Sequence, residues 1–330
     1  MAPRAHPWVD GHLDLAYLAQ HGVDLLATSA QPDRFGVNLP ALAAGGAGLV
    51  LGTIFTERGS SDPWGYPSDD DGAAAERAGR LQLEIYERLE ASGAIRIVRR
   101  RADLEGFGDT GPLRVVILME CADPIRTPDH ARWWFDRGVR VVGMAWAHGS
   151  RFCGGNAQDG PLTAQGRELV QAFDALGVLH DASHLSRASF DDLLACSDRR
   201  VVASHSNCAS ITDDLPRHLT DAQIRAIGAR GGLCGLNLYG KFLAKDRPAT
   251  LADAVAHVLR VRELAGDGAI ALGSDFDGGF TPLDCPPGAQ RPEDLPHLAG
   301  ALERAGVTGA ALDGFRSANW LRVLREALPA

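Results

Sequence analysis

The sequence predicts an α/β protein of the closed (β/α)₈ TIM-type barrel class. Eight short apolar segments recur along the 330 residues, and stretches with the periodicity of amphipathic helices separate most of them. The clearest unit spans residues 177–207, where two apolar runs lead to His184 and His205 and flank a helical stretch over residues 187–197. A strand–helix–strand unit implies parallel strands, and eight such strands are the number that closes a barrel.

Each predicted strand is a run of apolar residues that ends in polar or small ones. In chain order they cover residues 8–15, 45–56, 114–121, 140–147, the two runs that end at His184 and His205, 232–239 and 269–278. No internal repeat or low-complexity linker divides the chain, so we interpret residues 1–330 as a single barrel domain.

Helices are predicted where apolar residues recur every three or four positions. Residues 72–91 place Leu81, Ile85 and Leu89 on one face, and residues 250–265 and 310–328 show similar patterns. The Pro-rich stretch 282–296 follows the last strand, and we expect it to lie over the open end of the barrel.

Composition excludes several classes of function. The net charge of −9 argues against a nucleic-acid partner, because phosphate contacts need a basic surface. No apolar run approaches the ~18 residues of a membrane span, and residues 1–8 show no apolar signal region, which predicts a cytoplasmic protein without a membrane partner. The six cysteines form no Cys-x-x-Cys pair, so a zinc ribbon is not expected and reduced thiols are the default.

Polar residues at the strand ends form the candidate site. His12 and Asp14 end the first strand and, being two residues apart, share one face of it. Glu120 ends the strongly apolar third strand, where a buried carboxylate needs either a salt-bridge partner or a metal ion. Because the carboxyl ends of parallel strands meet at one face of a barrel, these side chains are expected to lie together.

His184 and His205 follow neighbouring strands, so their imidazoles can share one metal ion. The alternative is a pair of buried histidines satisfied by hydrogen bonds. With Asp275 at the end of the eighth strand, six candidate residues lie at five separate strand ends, which favours the metal site.

Three histidines with acidic partners suit two zinc ions, and Glu120 is the best candidate to bridge them at ~3.5–4 Å. A bridging water would have its pKa lowered toward ~7 and become a hydroxide nucleophile. Asp275 fits the role of the carboxylate that takes and returns the proton.

Several motifs resemble the membrane dipeptidase (renal dipeptidase) family of zinc metallopeptidases, in order from about residue 8 to 325. They are Asp10-Gly-His-Leu-Asp14, the Glu120 strand end, Leu162-Thr-x-x-Gly-x-x-Leu-Val, Asp181-Ala-Ser-His184-Leu-Ser, Ser204-His205-Ser-Asn, Pro216-Arg217-His-Leu-Thr-Asp, Asn237-Leu-Tyr239, Gly273-Ser-Asp275-Phe-Asp-Gly and Ala318-Asn319-Trp-Leu-Arg-Val. The resemblance implies an amidohydrolase-type barrel that hydrolyses free dipeptides, with tolerance of a D-residue at the carboxyl side.

The resemblance also implies a role for each matching residue. His12 and Asp14 would bind one zinc ion, His184 and His205 the other, and Glu120 would bridge both. Arg217 matches the arginine that holds the substrate carboxylate, Asp275 matches the residue that contacts the substrate amine and handles the proton, and Tyr239 would line the pocket. A homodimer is a further family-level expectation.

The sequence departs from the family after the fourth strand. Many members have a histidine there that polarises the scissile carbonyl, whereas Trp146 is the aligned residue here and His148 lies two positions later. Alternation along the chain would let His148 approach the site, and Trp146 would contact the substrate. The change keeps open a second hypothesis, a binuclear zinc amidohydrolase acting on N-acyl amino acids or another small amide, and a third, a binding protein without catalysis.

Overall fold

The computed structural model of the protein describes residues 7–68, 71–109, 111–212 and 214–330. Its strands are β1 (Trp8–Leu13), β2 (Ala47–Phe55), β3 (Glu57–Arg58), β4 (Gly65–Tyr66), β5 (Ile95–Ile97), β6 (Leu113–Glu120), β7 (Val139–Gly143), β8 (Leu179–Asp181), β9 (Val201–Val202), β10 (Cys234–Leu236) and β11 (Ile270–Leu272). All eight predicted strands are present, and β3, β4 and β5 are additional to them.

The barrel strands pair in parallel in the order β1-β2-β6-β7-β8-β9, and β10 pairs with β11. Backbone hydrogen bonds join β9 to β10, with Gly235 N donating to Ala203 O over 2.8 Å. At the seam between β11 and β1, Asp275 N donates to His12 O over 3.2 Å, and the buried carboxylate of Asp10 accepts from Ser274 N over 2.8 Å. These contacts confirm the predicted α/β barrel.

Helices surround the strands. They are α1 (Leu15–Gln20), α2 (Leu39–Ala44), α3 (Gly72–Ala91), α4 (Ala131–Asp136), α5 (Ala164–Leu176), α6 (Arg187–Cys196), α7 (Asp221–Ala229), α8 (Gly240–Leu243), α9 (Leu251–Ala265), α10 (Leu295–Arg304), α11 (Ala310–Asp313) and α12 (Asn319–Ala327). Hydroxyl and acidic caps begin many of them, as sequence patterns predict; for example, Asp71 accepts from Ala74 N at the start of α3 over 2.8 Å. In the part of the chain that the structure describes, no helix is long and apolar enough to cross a membrane.

The barrel interior has its own apolar core, separate from the larger layer between strands and helices. Alternate strand residues such as Val9, Leu118 and Val202 point inward and pack together with Trp320 and its neighbours on α12. Trp320 is fully buried and donates from Nε1 to Leu272 O over 2.8 Å. The C-terminal helix therefore closes the end of the barrel at which the strands begin, and leaves their carboxyl ends for the site.

Two expectations about helices need correction. Leu81 is 48% exposed, because α3 turns its face at Ile85 and Leu89 inward instead. The helix predicted over residues 310–328 is interrupted by a π-helical turn at Gly314–Ala318, with Gly309 in the left-handed conformation before it. Residues 278–280 line the mouth of the barrel, and the Pro-rich stretch that follows begins beside it, with Pro282 near Gly36 and Asp284 near Gly240.

Candidate metal centre

Strand register brings the predicted site residues to one level of the barrel. Phe55 on β2 pairs with Glu120 on β6, Glu120 pairs with Gly143 on β7, and Gly143 pairs with Asp181 on β8. Asp181 in turn pairs with Val202 on β9. Residues at or just beyond this level, including His184 and His205, therefore lie together at the end of the barrel that is formed by the carboxyl ends of the strands.

His12, Asp14 and Glu120 meet as predicted. His12 Nε2 lies 3.5 Å from Glu120 Oε2 and 3.8 Å from Asp14 Oδ1, and all three side chains are at least nine-tenths buried. Asp14 lies just beyond β1, where its backbone N–H donates to Asp277 Oδ1 over 2.9 Å and its carboxylate accepts from the Thr53 hydroxyl. These contacts hold the Asp14 carboxylate toward His12.

His184 and His205 face the other oxygen of the same carboxylate. Glu120 Oε1 lies 3.0 Å from His184 Nε2 and 3.5 Å from His205 Nε2, and the two Nε2 atoms are 3.1 Å apart. The rings of His12 and His205 are stacked, with centroids 3.6 Å apart. Glu120 therefore lies between two groups of ligand-type side chains, with one oxygen directed at each.

The other ring nitrogen of each of the last two histidines has its own partner. Asn156 Oδ1 lies 2.9 Å from His184 Nδ1, so it accepts the Nδ1–H of a neutral ring. Ser204 Oγ lies 2.7 Å from His205 Nδ1, and Ser204 donates its own proton to Asp181 Oδ2. Both imidazoles are thereby fixed as tautomers whose Nε2 lone pair faces Glu120, the arrangement that metal-ligating histidines commonly show.

These residues fit a cation. Glu120 Oε1 is buried and makes no hydrogen bond, and the lone pairs of His184 and His205 Nε2 converge on it. Lone pairs at such separations repel one another unless a positive charge lies among them. Ligand atoms of His12, Glu120 and His205 lie within 4.8 Å of one another, as do those of His12, Asp14 and Asp275, so each trio can meet at one ion.

Burial and neighbouring charges shift the pKa values of several of these groups. Burial by itself would lower the pKa of His12, but Glu120, Asp14 and Asp275 raise it to about 10. Burial raises the pKa of Asp14 to about 7 and that of Asp275 to about 6, with Glu120 adding to both. Burial and the charge of Arg217 lower the pKa of His184 to about 4, which keeps this ring neutral, the form that binds metals.

Left-handed backbone conformations occur at three strand ends in the site. Cys121, which follows Glu120, has φ 68°, His184 has φ 66° and Asp275 has φ 58°. Such values are unfavourable for residues with a Cβ atom and tend to cluster at functional sites. Here they turn the chain sharply at the point where each strand presents its side chain to the centre.

A cavity of about 310 Å³ opens over the centre. Arg217 borders it, and this buried guanidinium donates to Ser206 Oγ and to His205 O, both over 2.8 Å, while its Nε has no partner. Asp275 accepts from Asn237 Nδ2 over 2.8 Å. Tyr239 also lines the cavity, with its ring stacked on Phe280 at 4.4 Å between centroids.

The two candidates that were predicted after the fourth strand, Trp146 and His148, differ in their position relative to the site. Trp146 lines the cavity, with its ring 6.2 Å from that of His184. His148 is exposed and is absent from the cavity lining, which corrects the expectation that it approaches the site. A tight turn explains this, because Gly149 N donates to Trp146 O over 2.8 Å and reverses the chain, so simple alternation ends at Trp146.

Four further residues were not identified from the sequence. Asn156 supports His184, Asn237 supports Asp275, Asp277 fixes the backbone of Asp14, and Glu57 lines the cavity. Asp277 was visible at the end of the eighth strand, but no pattern distinguished its role from that of Asp275. Asn156 lies in a Gly-rich loop, and nothing local connects it with a histidine 28 residues away.

Comparison with known families shows which family the chain belongs to. A family model described as "Membrane dipeptidase (Peptidase family M19)" matches residues 3–329. The chain belongs to this family. It is accordingly a hydrolase of peptide bonds of the metallo-dipeptidase type, and the resemblance of its motifs is confirmed.

Relatives in the family cover different shares of the chain. An uncharacterized protein from Klebsiella pneumoniae is 32% identical over 260 residues, which is 74% of this chain and 94% of that protein. An uncharacterized dipeptidase from Schizosaccharomyces pombe is 29% identical over 237 residues, 68% of this chain and 55% of that protein. The dipeptidase tcpJ of Claviceps purpurea is 26% identical over 96% of this chain and 76% of its own length.

Solved structures support the fold. A metallopeptidase described as dipeptidase AC of family M19 superposes with a TM-score of 0.87 at 24% identity, covering 98% of this chain and 99% of that one. A metallopeptidase from Rhodobacter sphaeroides, liganded with a phosphinate mimic of the dipeptide L-Ala-D-Ala, gives a TM-score of 0.86 at 24% identity, covering 97% and 99%. Membership of a metallopeptidase family implies that this dipeptidase depends on a metal ion, for which the centre around Glu120 is the candidate.

Proposed function

We propose that the protein is a binuclear zinc dipeptidase that cleaves free dipeptides, including those with a D-residue at the carboxyl side. His12 and Asp14 would bind one zinc ion, His184 and His205 the other, and Glu120 would bridge them. Arg217 and Asp275 would hold the two ends of the substrate, with Tyr239 and Trp146 lining its pocket.

One observation carries this proposal, namely the position of the Glu120 carboxylate. Its Oε2 faces His12, and its Oε1 faces both His184 and His205. A carboxylate placed between two groups of ligands is the usual bridge in two-metal hydrolases. The neutral tautomers fixed by Asn156 and Ser204 leave the ring nitrogens free to act as ligands, which imidazole does for zinc more often than for harder cations.

When bound, two zinc ions act as Lewis acids toward a peptide carbonyl and lower the pKa of water to about 7. The protein's own groups orient the substrate around that chemistry. The buried guanidinium of Arg217, with an unpartnered Nε, suits the carboxylate at one end of a dipeptide. Asp275, held in place by Asn237, suits the ammonium group at the other end and can accept and return a proton during cleavage.

The tolerance of a D-residue is supported by the relative from Rhodobacter sphaeroides, whose ligand mimics L-Ala-D-Ala. Both Arg217 and Asp275 are buried and line the same cavity, which favours a substrate that carries both a free carboxylate and a free amine. An N-acyl amino acid has no ammonium group for Asp275, although the apolar ring of Trp146 in the lining could accommodate its acyl group.

The test combines metal analysis with a substrate panel. We expect two zinc ions per chain in reconstituted protein, hydrolysis of both L-L and L-D dipeptides, and loss of metal and activity in His184→Ala. N-acetylated versions of the same dipeptides should be poor substrates. Zinc-loaded protein that cleaves no dipeptide would refute the proposal. Faster cleavage of the acylated compounds would instead show that the enzyme acts on N-acyl amino acids.

A further inference from the structure

The cavity has two aromatic walls, and they differ in charge. One wall consists of Tyr239, Phe242 and Phe280 and includes Arg217, whose guanidinium carbon lies 5.6 Å from the Phe242 ring centroid. The other consists of Tyr17, Phe55, Trp64 and Trp146 and includes Glu57, which we call the acidic wall. Among the described residues that line the cavity, Glu57 is the one acidic side chain outside the candidate ligands and Asp275.

The rings of the acidic wall support one another. Trp146 packs edge-to-face against Phe55 with centroids 5.1 Å apart, Phe55 contacts Tyr17 at 6.0 Å, and Tyr17 contacts Trp64 at 4.6 Å. Trp146 also approaches His184 at 6.2 Å, so this wall begins directly beside the candidate metal centre. The arrangement gives a continuous set of packed aromatic rings along one side of the cavity.

Glu57 is fixed at the edge of these rings. Its Oε2 accepts from Trp64 Nε1 over 3.4 Å, and its backbone N donates to Trp64 O over 3.2 Å. The short strands β3 and β4 pair Glu57 with Gly65, the residue that follows Trp64. The carboxylate is thus held beside the ring of Trp64 in a partly buried position at the cavity.

Aromatic faces combined with a carboxylate suit an organic cation. The quadrupole of each ring attracts positive charge within about 6 Å of its centroid, and a nearby carboxylate adds a direct ion pair. The same surface repels a carboxylate ligand, and it leaves a purely apolar side chain with no partner for Glu57. Under the proposed function, the substrate carboxylate would bind Arg217 on the other wall and so orient the dipeptide.

We propose that the acidic wall is a subsite for a cationic side chain on the amino-terminal residue of the dipeptide, such as that of lysine or arginine. This inference rests on the proposed function, because it takes the substrate carboxylate to bind Arg217 and the scissile bond to lie over the metal centre. In that orientation the amino-terminal residue extends away from Arg217, toward Trp146 and Glu57.

The test compares dipeptides that share a carboxyl-terminal alanine. Lys-Ala is paired with norleucyl-Ala, which has a side chain of similar length without the ammonium group, and Arg-Ala is paired with citrullyl-Ala. We expect kcat/KM to favour each cationic member by roughly tenfold, the scale of a partly desolvated cation–π and ion-pair contact. Raising the salt concentration should lower the ratio of kcat/KM between the cationic and the neutral dipeptide of each pair, because charge attraction is screened.

The substitution Glu57→Gln removes the charge and keeps an oxygen for Trp64 Nε1. We expect the Lys-Ala to norleucyl-Ala ratio of kcat/KM to fall by roughly tenfold in this variant. The matched control is Glu303→Gln, which makes the same substitution at an exposed residue of α10 that is absent from the cavity lining. Its ratio should equal that of the wild type.

The outcomes separate the two proposals. Equal rates for the cationic and neutral members, or an unchanged ratio in Glu57→Gln, would overturn the subsite while leaving the dipeptidase function intact. Failure to cleave any of the four dipeptides by a metal-loaded protein would instead refute the proposed function. A ratio that falls equally in Glu303→Gln would show general surface charge as the cause and would also overturn the subsite.

Discussion

The side-chain oxygen of Asn156 lies 2.9 Å from Nδ1 of His184. Asn156 also donates its backbone N–H to His184 O over 2.9 Å, so the loop at residues 150–160 makes two hydrogen bonds to this histidine. His184 has φ 66°, a conformation that its surroundings must enforce. The loop therefore sets both the backbone and the tautomer of a candidate ligand.

We expect Asn156→Ala to weaken zinc binding by about 10–100-fold, the usual effect of losing a partner that orients a ligating histidine. The neutral ring would then populate the tautomer with its proton on Nε2, which leaves no lone pair on the nitrogen that faces Glu120. Competition with a chelator measures the affinity. Asn156→Asp is the matched control, because its carboxylate still accepts the Nδ1–H and should preserve binding; equal losses in both variants would contradict this account.

Glu120→Gln should abolish the binuclear centre. The amide offers one carbonyl oxygen and an NH₂ group in place of two anionic oxygens, and it cannot face His12 on one side and His184 and His205 on the other with equal ligands. We expect fewer than two ions per chain by elemental analysis and a loss of activity beyond about 100-fold, more than orienting residues cause. Retention of two tightly bound ions would show that the bridge lies elsewhere.

Zinc should stabilise the folded protein, because the unfolded chain cannot hold His12, Glu120 and His205 together. At a free zinc concentration of 100 times Kd, the gain in free energy of unfolding is about 2.7 kcal/mol for one site. Urea denaturation with and without zinc measures it. Glu120→Gln should gain much less, and an equal gain in that variant would indicate stabilisation by ions bound outside the centre.

Much of the fold could be predicted because apolar runs and caps are local features. The pairing that matters for the site, Phe55 with Glu120 and Asp181 with Val202, follows once the strands are parallel and adjacent. The π-helical turn at residues 314–318 could not be predicted, because Gly314 there packs against the side chain of Asn319, whose amide bonds to Ile270 O across the barrel end. Such contacts are set by tertiary structure.

The candidate ligands were predictable for the same reason, since each ends a recognisable strand. The residues that hold them were not, because Asn156, Asp277 and Asn237 act across long separations in sequence with no repeating pattern. The placement of His148 failed because a tight turn after Trp146 replaces the alternation of an extended strand. The residues at the strand ends could therefore be predicted from sequence, whereas side-chain directions that depend on loop conformation could not.

Acid should destabilise the metal-free protein through His257. This ring is buried, accepts from Cys208 N at Nδ1 over 3.1 Å and donates from Nε2 to Leu243 O over 3.2 Å, so it is satisfied only when neutral. Burial lowers its pKa to about 4, against about 6.5 in an unfolded chain. Between these values the unfolded state binds a proton that the folded state does not, so stability falls as pH falls.

The contribution of His257 is roughly 3 kcal/mol over that interval, fully lost at about pH 4. Denaturation in urea at several pH values between 4 and 7, with a chelator present, measures the slope. His257→Gln removes this titrating group. The slope of the free energy of unfolding against pH should therefore decrease by the amount that corresponds to about one bound proton. An identical slope in the two proteins would show that other groups cause the acid sensitivity.

The plug formed by α12 yields a prediction that separates stability from catalysis. The ring of Trp320 fills the space beside Gly11, where a Cβ atom would overlap it, and its Nε1–H satisfies Leu272 O. Trp320→Ala should therefore cost about 3–5 kcal/mol of unfolding free energy, because it opens a large cavity and leaves a buried carbonyl without its donor. Trp133→Ala, on the half-buried face of α4, should cost less.

Since Trp320 lies at the end of the barrel where the strands begin, zinc affinity and kcat/KM of the folded fraction should stay close to wild type. A fall in zinc affinity comparable to that of Asn156→Ala would show that the plug also supports the strand ends around Glu120.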